Sequence, residues 1–307
     1  MKYILLMGCC LFSTLVFSQV DITYSQNETT YGYRDGLALT MTVLTPKKSN
    51  GKAIVSLKSG GWVSNLNWNE AFINRAMPFV NEGYTVFLTM HSSGPRYAIP
   101  DALEDVQRAV QFVRYNAKTY KIDKEYIGIT GTSSGGHLSL LAGTSDDIAN
   151  PAAKDPVEQV SSKVQAVAVF CPPTDFLHYG FQGFNLSQQT KILPQYNIAG
   201  AFQYTKWNNE TKTYQIITDT TERLAIDTLI SPAEMVTKDD APAYIIHGDK
   251  DDVVPLQQSQ LMEQKLKAGG IPVTLILKPG AGHGWESMND DEKGFIAWFD
   301  KYLKVRK

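Results

Sequence analysis

The sequence predicts an α/β protein whose mostly parallel central sheet is covered by helices on both faces. Short apolar runs rich in β-branched and aromatic residues recur along the chain at the length of buried strands. Longer stretches with helical periodicity separate these runs, and such strand–helix alternation is typical of a parallel sheet between two helical layers. With 307 residues, the chain is long enough to bury a large core, and we expect one domain over residues 19–307.

The predicted elements follow in order along the chain. Residues 37–43 alternate in polarity like a half-exposed strand, and buried strands are predicted over 53–57, 84–90, 126–130, 164–170, 243–246 and 273–277. Helices are predicted over 101–120, 256–268 and 292–303, and a helix-compatible run covers 137–142. The helix over 101–120 is the clearest, because Leu103, Val106 and Val110 recur on one face and Pro100 suits its start.

A Gly-x-Ser-x-Gly motif, Gly131-Thr132-Ser133-Ser134-Gly135, stands between a predicted strand and a predicted helix. In this strand–turn–helix context a serine is displayed as a nucleophile at the end of a sheet. Glycine is required at both flanking positions because the turn is strained and backbone passes close to it. The motif by itself also fits an ordinary glycine-rich connection. The interpretation of Ser133 as a nucleophile therefore depends on the predicted strand before the motif and the predicted helix after it.

Two serines compete for the role of nucleophile. With Ser133 as nucleophile, glycines occupy both close-approach positions, whereas Ser134 would place the β-branched Thr132 there. We therefore assign Ser133, and the backbone N–H of Ser134 then becomes one donor of an oxyanion hole. From the sequence alone, Ser134 is the alternative nucleophile.

A serine hydroxyl is a weak nucleophile at neutral pH, so a base and an orienting acid are expected downstream, in the order Ser, acid, His. Asp249, Asp251 and Asp252 all follow the predicted strand at 243–246 and are acid candidates by type. His283 lies on a glycine-rich loop after the predicted strand at 273–277, where an imidazole can reach a serine.

The other histidines have structural interpretations. We expect His247 to order the loop that carries the acid, and His137 starts the helix after the serine turn. His91 and His178 have no matching partners, and the sequence holds no zinc-binding motif such as His-Glu-x-x-His. We therefore expect neither a metal nor another cofactor.

These motifs resemble those of α/β-hydrolase esterases of the hormone-sensitive-lipase and BD-type feruloyl and acetyl-xylan esterase group. Ser133 matches the family element G-D-S-A-G-G-H-L, Asp251 matches the acid of H-G-x-x-D-x-x-V-P, and His283 matches G-x-G-H-G. Residues 94–106 resemble a further family stretch, and the similarity runs from about residue 35 to 303. The resemblance implies a serine carboxylesterase with Ser133, Asp251 and His283 as catalytic residues.

The oxyanion loop departs from the family pattern. Where the family has H-G-G-G-W, this chain has Lys58-Ser59-Gly60-Gly61-Trp62. Gly60 and Gly61 are kept, and we expect their backbone N–H groups to form the oxyanion hole together with Ser134. Because one such donor is worth a factor of about 100 to 1,000 in rate, the changes at 58 and 59 put the efficiency of catalysis in question. The alternative is that Lys58 has only a structural role, packing or forming a polar pair at the position of the family histidine.

An insertion over about 176–227 interrupts the sheet pattern at a position where such hydrolases often carry a cap. It is polar but holds nine aromatic residues: Phe176, Tyr179, Phe181, Phe184, Tyr196, Phe202, Tyr204, Trp207 and Tyr214. Aromatic faces suit stacking on sugar rings or on a phenolic acyl group. The alternative is a decorated loop with a small core of its own.

The N-terminus predicts export. Residues 1–18 carry Lys2, an apolar run and small residues before Gln19, as expected for a signal peptide cleaved between Ser18 and Gln19. Lipid attachment at Cys9 is a weaker alternative. We therefore expect a secreted or periplasmic protein that retains only Cys171, which excludes an internal disulfide.

Composition narrows the partners. The 29 basic and 31 acidic residues give a formal charge of −2, which argues against nucleic acid, and no apolar run beyond the signal peptide suits a membrane span. We expect as substrate a small-molecule or polysaccharide ester that carries acetyl or feruloyl groups, and the oligomeric state stays open. The alternatives are a prolyl-oligopeptidase-like peptidase, which usually carries a large N-terminal propeller, and a non-catalytic sugar-binding relative, suggested by Lys58 and Ser59.

Overall fold

The structure is a computed structural model that describes residues 24–304. The predicted signal peptide at residues 1–18 therefore lies outside the described residues. Within the described range the strands are β1 (Tyr24–Arg34), β2 (Leu37–Pro46), β3 (Ala53–Leu57), β4 (Thr85–Thr89), β5 (Ile127–Thr132), β6 (Ala166–Phe170), β7 (Thr205–Asn208), β8 (Thr213–Ile216), β9 (Ala243–Gly248) and β10 (Val273–Lys278).

Eight of these strands form the main sheet, in the order β1-β2-β4-β3-β5-β6-β9-β10. β2 pairs antiparallel with β1 and with β4, and all the other neighbours pair parallel. The prediction of a mostly parallel sheet is confirmed. Because parallel strands present their carboxyl ends at one edge, the loops after β5, β9 and β10 meet at that edge.

The helices are α1 (Asn69–Asn81), α2 (Ile99–Tyr115), α3 (Ala117–Tyr120), α4 (Ser134–Thr144), α5 (Thr220–Leu229), α6 (Gln257–Ala268) and α7 (Met288–Tyr302). Phe79 of α1 and Phe299 of α7 belong to the buried cluster on one face of the sheet. Val106 of α2, Leu141 of α4 and Met262 of α6 belong to the cluster on the other face. The predicted coverage of both faces is confirmed.

Outside the insertion over 176–227, the structure differs from the predicted elements at three places. The helix predicted over 101–120 is divided into α2 and α3 at Asn116, whose side-chain Nδ2 donates to the Phe112 carbonyl at 2.8 Å. The backbone of Asn116, with a ψ of 15°, departs from the helical conformation. Strand β1 and helix α1 were not predicted; β1 is a largely exposed edge strand, so its sequence carries little apolar signal.

The insertion over 176–227 contains the β7–β8 hairpin, the start of α5 and three 3₁₀ turns (Leu186–Gln188, Leu193–Tyr196 and Ala199–Phe202). Phe176, Phe202 and Tyr204 are buried in the same cluster as the core on one face of the sheet. The insertion thus shares the main core instead of forming a separate one. Four of its aromatic side chains are exposed: Phe181, Tyr196, Trp207 and Tyr214.

Between residues 24 and 304, no helix combines the length and the apolar character that a membrane crossing requires.

Candidate active site

Ser133 occupies a strained turn between β5 and α4. Its φ of +54° and ψ of −121° lie in a region that non-glycine residues rarely adopt. The turn is held in place because Ser133 N–H donates to the Phe170 carbonyl at 2.9 Å and Ser133 O accepts from His137 N–H at 2.8 Å. Strain of this kind persists only where the surroundings enforce it, and it is concentrated at functional sites.

The glycines on either side of Ser133 allow this turn to form. A Cβ on Gly131 would lie 2.3 Å from the backbone carbon of Gly135, a distance that no side chain tolerates. A Cβ on Gly135 would lie 3.1 Å from the Leu57 carbonyl oxygen. The close backbone approach expected from the Gly-x-Ser-x-Gly spacing is therefore present, and it is tightest at Gly131.

Ser133, His283 and Asp251 form one hydrogen-bonded series across the carboxyl edge of the sheet. The distance between His283 Nε2 and Ser133 Oγ is 2.9 Å, and that between His283 Nδ1 and Asp251 Oδ2 is 2.8 Å. A carboxylate accepts the Nδ1 proton, so Nε2 of the neutral ring is left free to accept the serine proton. The arrangement has the hydrogen-bond geometry of a Ser-His-Asp triad.

The acid loop is ordered around Asp251. Its Oδ1 accepts backbone N–H bonds from Val253 at 2.9 Å and Val254 at 2.8 Å. Burial alone would raise the pKa of the Asp251 carboxyl, but hydrogen bonds from His247, His283 and Val254 lower that pKa well below its ordinary value. Asp251 is therefore a carboxylate at neutral pH.

The buried His247 supports this loop, as its position in the sequence suggested. Its Nδ1 lies 2.6 Å from Ser259 Oγ, and its Nε2 lies 2.9 Å from the Val254 carbonyl and 3.2 Å from Asp251 Oδ2. The two other acid candidates lie elsewhere: Asp249 Oδ1 accepts from Gly280 N–H at 2.7 Å, and Asp252 is exposed. Only Asp251 contacts His283 among the three.

Ser134, the alternative nucleophile, is turned into the protein. Its side chain is buried, and its Oγ lies 3.0 Å from Ser59 Oγ. Its backbone N–H begins helix α4, where no intrahelical acceptor exists. Ser134 thus offers a backbone donor next to Ser133 while its hydroxyl is engaged elsewhere.

The predicted oxyanion loop is a tight two-residue turn. Gly60 N–H donates to the Val63 carbonyl and Val63 N–H donates to the Gly60 carbonyl, both at 3.0 Å. The two central residues, Gly61 and Trp62, have φ of +56° and +58°. The Gly60 N–H is therefore already engaged, whereas no acceptor within residues 24–304 takes the N–H of Gly61 or Trp62. The free donors of the turn are Gly61, one of the predicted oxyanion residues, and Trp62, which the sequence did not indicate.

Trp62 anchors the turn in spite of its unfavourable φ. Its Nε1–H donates to His137 Nδ1 at 2.9 Å, and His137 Nε2–H donates to the Ile230 carbonyl at 2.7 Å. The Trp62 ring also packs edge-on against Phe176 and Phe202 of the insertion. Burial lowers the pKa of His137 to about 4, so its neutral ring keeps one nitrogen as an acceptor for Trp62.

Lys58 is fully buried, and it pairs in the place of the family histidine. Its Nζ donates to Asn69 Oδ1 at 3.0 Å. Thr42 Oγ1 lies 3.0 Å from the same oxygen and donates to Glu28 Oε1 at 2.5 Å. Burial lowers the pKa of Lys58, and the nearby Glu28 partly opposes this. Because its ammonium group binds Asn69 at the start of α1, Lys58 has a structural partner, as one of the two sequence interpretations held.

One group of possible metal ligands lies beside the acid loop: Cys171, His247 and Asp251, whose ligand atoms fall within 4.8 Å of one another. Both nitrogens of His247 and both oxygens of Asp251 already take part in the hydrogen bonds of that loop. Burial raises the pKa of the Cys171 thiol to about 12, which disfavours the thiolate that metals require. The hydrogen bonds of the acid loop account for the proximity of these groups.

The chain belongs to the BD-FAE family, whose model matches residues 41–266. Its relatives include esterases. Esterase LipQ of Mycobacterium tuberculosis is 25% identical over 234 residues, which cover 76% of this chain and 50% of LipQ. An acetylxylan esterase of Xylanibacter ruminicola is 30% identical over 104 residues, which cover 34% of this chain and 21% of that enzyme. The chain thus spans about half the length of LipQ and less of the second relative.

Solved structures agree with this assignment. A truncated carbohydrate esterase from gut microbiota superposes with a TM-score of 0.70 at 28% identity, over 92% of this chain and 98% of that protein. The fold is therefore the α/β-hydrolase fold of esterases, as the sequence motifs implied.

Proposed function

We propose that the protein is a serine carboxylic-ester hydrolase in which Ser133 is the nucleophile, His283 the general base and Asp251 the orienting acid. The hydrogen-bonded series through these three side chains carries the proposal, since each distance lies within 2.8–2.9 Å. The strained backbone at Ser133 supports it, because that strain exposes the hydroxyl at the carboxyl edge of the sheet. The esterases among its relatives point to the same chemistry.

In this proposal the reaction has two steps. Ser133 Oγ attacks the ester carbonyl while His283 Nε2 takes its proton, and the ring then gives that proton to the leaving alcohol. Asp251 holds the Nδ1 proton and stabilises the imidazolium as it forms. Water, activated by the same nitrogen, then hydrolyses the acyl group from Ser133.

The oxyanion that forms in each step would be stabilised by backbone donors. Gly61 and Ser134 supply the free N–H groups, and Trp62 adds a third next to Gly61. Gly60 closes the turn through its bonds to Val63, so in this proposal its role is to shape the site.

We further propose that the substrates are acetyl or feruloyl esters of polysaccharides. The acetylxylan and carbohydrate esterases among the relatives support this class. Ile198 of the insertion lies over the oxyanion turn, with its Cγ2 3.2 Å from where a Cβ on Gly61 would be, so the insertion packs against the proposed site. The exposed rings of Phe181, Tyr196 and Trp207 offer faces on which sugars stack.

Export is part of the same proposal. An enzyme that acts on polysaccharides outside the cell must be exported, and residues 1–18 have the charge and apolar pattern of a signal peptide. Mass analysis of the protein recovered from the medium or periplasm should give a chain that starts at Gln19. A chain that still starts at Met1 would contradict this part.

The test is hydrolysis of p-nitrophenyl esters from acetyl to dodecanoyl by the purified protein and by its Ser133→Ala variant. We expect hydrolysis of the shortest esters only, and its loss in the variant, because Ser133 supplies the hydroxyl that contacts His283 Nε2 within residues 24–304. Acetylated and feruloylated xylan then distinguish the two acyl groups by release of acetate or ferulate. Unchanged hydrolysis by Ser133→Ala would refute the proposed nucleophile.

A further inference from the structure

A buried hydrogen-bond chain runs behind the oxyanion turn. Ser134 Oγ lies 3.0 Å from Ser59 Oγ, and Ser59 Oγ lies 2.8 Å from His91 Nε2. His91 Nδ1 lies 2.7 Å from the Ser92 carbonyl, and Ser92 N–H donates to Asp105 Oδ2 at 2.7 Å. All of these residues are buried.

The direction of each bond is determined by the acceptor at the end of the chain. A carbonyl oxygen only accepts, so the His91 Nδ1 atom carries the proton. Burial lowers the pKa of His91, so the ring is neutral and its Nε2 is an acceptor. Ser59 therefore donates its proton to His91, and its oxygen is left to accept the proton of Ser134.

This chain joins the two backbone segments that carry the proposed oxyanion donors. Ser59 immediately precedes the Gly60–Val63 turn, which presents Gly61 N–H, and Ser134 carries the other N–H. Donors of this kind act only within about 2.7–3.1 Å of the oxyanion, so their separation must be fixed. The family loop has glycine at the position of Ser59, and a glycine there cannot form this link.

We propose that Ser59 and His91 are positioning residues for ester hydrolysis, holding the Gly61 and Ser134 donors at a fixed separation through the Ser134–Ser59–His91 chain. This rests on the proposed function, in which both N–H groups bind the oxyanion. The departure from the family loop at Ser59 is thus a gain of a contact between the turn and helix α4. Ser59 and His91 act through these donors and do not touch the substrate.

The test measures kcat and KM for p-nitrophenyl acetate in Ser59→Ala, Ser134→Ala, the double variant and His91→Phe. We expect each single change to lower kcat about tenfold with KM within about twofold, because a displaced donor weakens the transition state and not substrate binding. The double variant should be no slower than the slower single variant, since both changes break the same bond. Ser59→Thr keeps the hydroxyl and should keep kcat within about threefold of the wild type, by the same reasoning.

A matched control comes from the other end of helix α4. Ser145 is also buried, and its hydroxyl donates to the Leu141 carbonyl at 2.6 Å. Ser145→Ala should lower the melting temperature about as much as Ser59→Ala but leave kcat unchanged. Thermal unfolding of every variant separates a loss of folded protein from a loss of rate.

The outcomes separate the two proposals. If Ser133→Ala is inactive but Ser59→Ala and Ser134→Ala keep full kcat, the positioning role is overturned and the proposed function stands. A lower melting temperature with unchanged kcat in Ser59→Ala overturns it in the same way. If Ser133→Ala is as active as the wild type, the proposed function fails, and the positioning role fails with it.

Discussion

Replacing Asp251 by asparagine tests the proposed Ser133–His283–Asp251 triad with little change in the shape of the side chain. Oδ1 of Asp251 accepts from two backbone N–H groups, so in the Asp251→Asn variant the amide oxygen would keep that position. The amide NH₂ group would then face His283 Nδ1, where the carboxylate oxygen lies at 2.8 Å in the native chain. A donor facing Nδ1 requires that Nδ1 be unprotonated, so the ring proton moves to Nε2.

That tautomer cannot act as the base. With its proton on Nε2, His283 faces Ser133 Oγ as a donor and has no lone pair for the serine proton. We expect kcat to fall by a factor of about 10⁴, equivalent to about 5.5 kcal/mol in the activation barrier, with KM within about twofold. The assay is p-nitrophenyl acetate hydrolysis by folded Asp251→Asn, with folding checked by thermal unfolding.

The neighbouring acids serve as controls. Asp249→Asn keeps an oxygen for Gly280 N–H, and Asp252 is exposed, so both changes should leave kcat within about threefold of the wild type. The proposed role of Asp251 is refuted if Asp251→Asn retains more than about one-tenth of the native kcat, or if the main loss occurs at Asp249 or Asp252.

Two further predictions concern stability. Glu292 is buried, its Oε2 has no partner among residues 24–304, and burial raises its pKa to about 7 although Arg75 opposes this. The folded state therefore binds the Glu292 proton more tightly than the unfolded state does. As the pH rises from about 4.5 to 7, the free energy of unfolding should fall by up to about 1.4 kcal/mol per pH unit, and it should then level off. Denaturant unfolding at about pH 5 to 8 should show that Glu292→Gln lacks this fall; parallel pH profiles for the two proteins would contradict it. Gly131→Ala places a Cβ 2.3 Å from the Gly135 backbone and should lower the free energy of unfolding by at least about 3 kcal/mol. Gly32→Ala is the control, because the nearest atom to its Cβ is a flexible Arg108 carbon at 3.4 Å. It should lower the free energy of unfolding by less than about 1 kcal/mol. Equal melting temperatures for the two glycine variants would contradict the clash.

The parts of the fold that could be predicted have strong local signals. The buried strands are short apolar runs, and the turn at Ser133 is marked by glycines whose spacing has a steric cause. Strand β1 gave no such signal because it lies at the sheet edge with most of its side chains exposed. The break at Asn116 is a change of backbone conformation at one residue, with a ψ of 15°, inside an otherwise regular helical pattern.

The candidate site, too, has features that the sequence predicted and features that it did not. The sequence by itself indicated a serine in a strained turn, an acid loop and a histidine loop, because their order and spacing follow from the strand order. Residue type alone left three aspartates open, and the family resemblance selected Asp251. The sequence could not show that Gly60 N–H is engaged by Val63 or that Trp62 is held by His137. Those facts depend on which atoms meet across segments far apart in the chain. Hydrogen-bond direction and donor availability are properties of three-dimensional contacts, so only the tertiary structure decided them.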